Sequence, residues 1–297
     1  MAVLGLMTTL ADGATYRYRQ GGDWSTLYNG AGSGWALNNG DVAPVLPSAA
    51  DDARINFGGN TVTVTSNVGT VNRVQIGVDE NGNVDVQSGG VLATSSDFFV
   101  GNNNSAVTDA NLFIRNGGAV NVGNILWSSR SGGGGASMGN IIIDAGGLLS
   151  VGNHLWLGAG AASMIDISGT LTQSGGILGL GTTNASSASG GSATVNIFNG
   201  GLLALNNISG NPGEPSIQSG SVIDLSLGGL LTVEGNRVGT LNSYIAADKI
   251  TGLGATDDSN LNVSFDGLVT TVSVVPEPSS ALFLGLVATL GLGRRRR

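Results

Sequence analysis

From residue 55 onward the chain alternates apolar and polar side chains in short runs that recur at nearly constant intervals. Gly-Gly pairs fall at 58–59, 89–90, 117–118, 146–147, 175–176, 200–201 and 228–229, in steps of 31, 28, 29, 29, 25 and 28 residues. Two and four residues past the second glycine stand Leu92 and Thr94, Val120 and Val122, Leu149 and Val151, Leu178 and Leu180, Leu203 and Leu205, and Leu231 and Val233, and after Gly58-Gly59 the offsets are three and five, at Val62 and Val64. A second alternation precedes several of the pairs: Val84 and Val86, Leu112 and Ile114, Ile141 and Ile143, Val195 and Ile197, Ile223 and Leu225. Period-2 alternation means a strand with one buried face. Glycine between two such strands supplies the positive φ, or the close backbone approach, that a tight corner requires.

A third apolar run follows in some copies: Phe99-Val100, Ile125 to Trp127, Leu155 to Leu157, and Val238 with Leu241. Three short strands in about 28 residues make one coil of a stacked repeat. The expected fold is therefore all-β, a right-handed parallel β-helix of about seven coils over residues 58–241, plus a short C-terminal hydrophobic α-helix. At about 4.8 Å per coil such a rod is roughly 30–35 Å long. The copy near 165–176, IDISGTLTQSGG, is out of register and is the least regular rung. Segments 131–137 and 182–192, built from Gly, Ser, Ala and Asn with one or two larger residues, read as outward loops. A β-propeller blade usually needs 40 or more residues, and a β-sandwich needs no repeat.

The ends differ from the middle. Residues 15–57 hold Trp24, Trp35, Pro44 and Pro47, followed by Asp51 and Asp52. They read as a cap that covers the open end of the stack, with a tryptophan glycan platform as the alternative. Residues 242–274 break the repeat and form the second cap. There Tyr244, Ile245 and Ile250 close the last coil, and two strands join at Asp266-Gly267. Residues 1–14 contain an apolar run from Ala2 to Ala11 that reads as a secretory signal with its small-residue end, cleaved after Ala11 or Ala14, or else as a buried first strand. The positive n-region is missing, so the true start lies upstream or the signal is degenerate.

Composition narrows the class. Glycine makes up 51 of 297 residues, aromatics only 5% and charged residues 11%, which is not the make-up of an ordinary globular enzyme. The 41% hydrophobic content is patterned, which argues against disorder. Of 12 basic residues four lie in the terminal cluster, leaving 8 against 20 acidic ones. So acidic a body offers no face for nucleic acid. No cysteine is present, which excludes disulfides and thiolate metal sites.

Residues 275–297 carry three features in order. Pro276-Glu277-Pro278 cannot continue a strand or a helix. Ala281 to Gly293 is an uncharged, Leu-rich block of thirteen residues, short of the roughly 17–25 that cross a bilayer comfortably. Arg294, Arg295, Arg296 and Arg297 follow and would stay on the cytoplasmic side. A membrane tail anchor is one reading. The order of the three features resembles the PEP-CTERM sorting domain of exported bacterial proteins. That resemblance covers about the last 22 residues. It implies recognition of Pro276, Glu277 and Pro278 by an exosortase, a membrane-embedded processing enzyme, with transient anchoring through 281–293 and then release to the envelope or exterior. The body resembles, more loosely, the strand repeats of autotransporter passenger-like surface proteins, through its Gly-Gly-x-Leu-x-Val units.

Candidate chemistry in the body is sparse. Asp79, Asn81, Asn83 and Asp85 alternate, but a calcium loop needs glycine at its sixth position and glutamate at its twelfth, where Val84 and Gly90 stand. No metal site and no cofactor is expected. Asp144, Asp166 and Asp224 occupy outward positions and, with Asp85 and Asn196, would form a column that keeps a sheet face wet or, less in keeping with the pattern, performs polysaccharide chemistry. Arg115, Arg130 and Arg237 are scattered, and His154 lies at a turn. Trp24, Trp35, Trp127 and Trp156 are candidates for adhesion to glycans. The sequence thus points to an exported, non-enzymatic surface or matrix protein with extracellular polysaccharide as a partner. The alternative is a secreted polysaccharide-active enzyme or a glycan-binding adhesin.

Overall fold

The computed structural model describes residues 13–275 except 57, 79, 104–107, 132–136, 185–186, 189–190, 209–215 and 256–259. The segments 1–12 and 276–297, which carry most of the expected secretory signal and the whole sorting motif, lie outside the described residues. Three parallel sheets run the length of the body and form a β-solenoid. Each turn contributes one strand to each sheet. The first complete turn is Asp52–Ile55, Thr61–Val64 and Asn67–Val71; a central one is Leu126–Ser131, Ser137–Ile143 and Leu148–Val151.

Alternation does what its period requires. In the second sheet Val62, Val84, Leu112, Ile141, Ile165, Val195, Ile223 and Ile250 stack in register, one per turn. In the third, Leu92, Val120, Leu149, Leu171, Leu203 and Leu231 do the same. In the first, Ala53, Val74, Phe98, Leu126, Leu155 and Leu178 complete the wall. All of these side chains are buried in one continuous core.

The stack has about six complete turns rather than seven, because two of the Gly-Gly pairs mark other corners. Gly58-Gly59 precedes Thr61–Val64, whose Val62 and Val64 pair with Val84 and Val86 in the second sheet. Gly175-Gly176 precedes Leu178–Leu180, which pairs with Leu155–Leu157 in the first sheet. The true third-sheet partners of Leu149 and Val151 are Leu171 and Gln173, reached through the shorter corner Ser168-Gly169. A seventh turn is begun by Val222–Leu225 and Leu230–Glu234, but among the described residues the first sheet continues beyond Leu178–Leu180 only through the single bridge Leu180–Ile217.

Both ends are closed. At the start, Thr15–Arg19 pairs in parallel with Asp52–Ile55 and antiparallel with Gly34–Leu37. Trp24 and Trp35 are wholly buried beneath it, with rings 4.6 Å apart and edge-on, and the Trp35 indole donates to the Trp24 carbonyl at 2.8 Å. At the other end, Leu261–Phe265 and Val269–Val274 form an antiparallel hairpin at Asp266-Gly267, whose turn is held by two amides on the Asp266 carboxylate. Val238 and Leu241, expected in a strand, belong instead to the helix Val238–Ile245. Their spacing of three, continued by Tyr244 and Ile245, is one face of a helix. That face is buried over the end of the tube, and the Tyr244 hydroxyl accepts the Ser216 amide at 2.6 Å. The expected hydrophobic helix at 281–293 lies outside the described residues; among those described, no helix is long and apolar enough to cross a membrane.

Candidate functional site

The outward positions of the second sheet are the place where the sequence best supports carboxylate chemistry. Register brings Asp166, Asn196 and Asp224 into one column, as alternation implies. Asp85 stands on the same column but is separated from Asp166 by Phe113 and Ile142. Asp144 lies past the end of its strand, at the corner.

Each carboxylate is engaged. The Asn196 amide donates to Asp166 at 2.7 Å. Asp224 accepts from the Thr251 hydroxyl at 2.7 Å and the Gly254 amide at 2.8 Å. Arg115 bridges Asp85 at 2.7 Å and Asp144 at 3.3 Å, and its guanidinium lies 4.6 Å from the Phe113 ring centre. The two carboxylates hold the Arg115 proton more firmly than usual, against the opposing pull of partial burial. Carboxylates held this way brace neighbouring coils. Their partners are amides, a hydroxyl and a guanidinium.

A neighbouring column that composition does not reveal is a ladder of asparagines. Asn140 donates to Asn111 at 3.0 Å, Asn111 to Asn83 at 2.7 Å, and Asn83 to the Gly59 carbonyl at 2.7 Å. Asn83 and Asp85, considered for calcium, are thereby bound to protein groups; Asp79 lies outside the described residues. Among the described residues no group of three or more metal-ligating side chains occurs.

The four tryptophans separate into two pairs. Trp24 and Trp35 are core, so they present no glycan surface. Trp127 and Trp156 lie on the outer side of the first sheet, stacked with Phe99 in a column: Phe99 to Trp127 and Trp127 to Trp156 are each 6.2 Å between centres. His154 stacks on Trp156 at 5.0 Å. Burial lowers the His154 pKa, and its Nδ1 accepts the Ile177 amide at 3.1 Å, which keeps that nitrogen unprotonated. Arg130 caps Phe99 and Trp127 at 5.5 and 5.0 Å, and Arg73 approaches Phe99 at 5.9 Å. Ring faces are thus taken up by neighbouring rings and guanidinium groups. The signal for this column is an aromatic residue in the third apolar run of three coils, Phe99, Trp127 and Trp156, each one position after a core residue, Phe98, Leu126 and Leu155. Arg237 sits apart from Arg115 and Arg130, ahead of the C-terminal helix, with its amide on the Thr270 hydroxyl.

The remaining feature is a trough on the third sheet, beside its corner with the first. It has a volume of about 360 Å³ and includes Asn121, Ser150, Thr172, Gly123 and Gly152 in its lining. Comparison with models of protein families, with curated proteins and with solved structures found no match.

Proposed function

We propose that this chain is an exported, non-enzymatic structural protein of the cell surface or extracellular matrix, sorted through a PEP-CTERM-type signal that an exosortase processes. The observation that carries the proposal is the order of three features in 275–297: Pro276-Glu277-Pro278, the apolar block 281–293, and Arg294 to Arg297. A proline-bounded segment offers an extended grip, the block partitions into lipid, and the arginines hold it from one side. The body supports the same reading. A closed solenoid capped at both ends is a rigid spacer whose strand edges do not invite further strands. Its outward carboxylates are spent on bracing the coils.

On this reading the anchor is transient, and the mature protein faces the envelope or extracellular polysaccharide. Mass spectrometry of the surface-exposed protein from an exosortase-bearing host tests it. The expected mass lacks Arg294 to Arg297, and disruption of the exosortase restores them. A surface form that still ends in Arg297 overturns the proposal.

A further inference from the structure

We infer that the corner between the second and third sheets, in the last coils of the stack, is the docking surface for this chain's own apolar block, 281–293, while the tail is still attached. The inference goes beyond the sorting proposal and holds whether or not the tail is later cut.

One corner position can be followed from coil to coil. The amides of Arg115, Asp144, Ser168, Phe198, Ser226 and Leu253 each donate to the carbonyl of the residue that precedes the same position one coil below. The position is charged at Arg115 and Asp144 and turns apolar at Phe198 and Leu253. Leu227 and Leu230 flank it on the corner that follows Ser226. Val275 joins them, because Leu230 pairs with Ser273 and the Val275 amide donates to the Asn260 carbonyl at 2.7 Å. Phe198, Leu227, Leu230, Leu253 and Val275 are 39% to 55% exposed. Large apolar side chains gathered in water mark a surface that something covers.

The point where the chain leaves the body selects the occupant. Val275 belongs to the cluster, and only residues 276–280 separate it from Ala281. Extended, those residues reach about 15 Å. Leu253 and Phe198 lie two coils apart, about 10 Å. So short a tether holds the block at a local concentration in the millimolar range, and a weak contact is then enough. Charge agrees with this occupant. Asp144, Asp166 and Asp224 border the corner. Thirteen residues laid as a helix span about 20 Å, or about four coils. From the Leu253 coil that length brings Arg294 to Arg297 to the Asp144 coil, where the carboxylate is 42% exposed. The same carboxylates oppose an anionic lipid surface, and in a symmetric contact between two copies they would face one another. Docked, the block is kept from water until a membrane takes it up.

The chain has no cysteine, so introduced pairs report contact without background. The test uses the full chain, made in a host that lacks an exosortase. Leu227→Cys with Leu286→Cys is expected to form an intramolecular disulfide at least tenfold faster than Ser95→Cys with Leu286→Cys. Ser95 is exposed at the corner between the third and first sheets, away from the cluster. Adding Leu253→Asp to the first pair is expected to slow it about fivefold, with the melting transition unchanged because that side chain faces out. The full chain is also expected to stay soluble and monomeric without detergent. Equal rates for the two pairs, a disulfide between chains, or a need for detergent that the chain ending at Val275 does not share overturns the inference. Flotation of that shorter chain with neutral lipid vesicles, abolished by Leu227→Asp, also overturns it and makes the corner a lipid surface. Processing of the tail is read separately, by the mass of the surface form, so neither result decides the other.

Discussion

Gly200 and Gly201 look alike in the sequence and do different work. Gly200 has φ +78°, and a Cβ placed on it would meet nothing within 4 Å, so only its backbone conformation calls for glycine. Gly201 lacks a positive φ, but a Cβ there would lie 2.1 Å from the Ile167 carbonyl oxygen of the preceding coil. The first glycine turns the corner and the second lets the coils approach. Gly200→Ala is expected to cost about 1–2 kcal/mol, the penalty for a left-handed conformation at an L-residue. Gly201→Ala is expected to cost about 3 kcal/mol or more, because backbone must move. Urea unfolding of the two variants separates these mechanisms, and equal losses would refute the division of labour. The Gly-Gly spacing is legible from sequence; which member meets the coil below is not, because that depends on atoms some thirty residues away.

At the scale of the element, the outer face of the second sheet shows how a strand holds its register after the core has set it. A slip of one residue would turn every apolar side chain outward. Asn83, Asn111 and Asn140 add a check, since each amide pairs only when its coil is aligned with the next. Asn111 both donates and accepts, whereas Asn140 only donates to this ladder. Asn111→Ala is expected to destabilise the protein by about 1–2 kcal/mol, and Asn140→Ala by less. Thermal melts would show the order, and an inverted order would place the stability elsewhere. The helix Val238–Ile245 teaches the converse. Two apolar residues in a repeat of strands suggest another strand, but a spacing of three with buried neighbours at Tyr244 and Ile245 belongs to a helix.

For the whole molecule, the core is a column in which each coil touches only its neighbours, so the ends bear the cost of exposure. Trp35 packs on Tyr18 at 5.0 Å and on Trp24 at 4.6 Å, and closes the first end. Trp35→Ala is expected to remove about 3–5 kcal/mol and to open the column from that end. Hydrogen exchange would read this as lost protection in Asp52–Ile55 and Thr61–Val64 before Leu202–Leu205. Uniform loss would mean that the tube unfolds as one unit.

The amino-acid sequence by itself determined the strand period, the glycine corners, the bulky caps, the Asp266-Gly267 hairpin and the order of features in 275–297. All of these depend on neighbours within a few residues. Tertiary structure alone decided which corner each Gly-Gly pair occupies, that the turns are about six, that Arg115 joins Asp85 to Asp144, and that glycines on successive coils leave a trough. The reason is that coil length varies, along the second sheet from 22 residues between Val62 and Val84 to 30 between Ile165 and Val195. Alternation with period 2 records that a strand has a buried side, but not which of three sheets it joins. Only the hydrogen bonds between successive coils assign that.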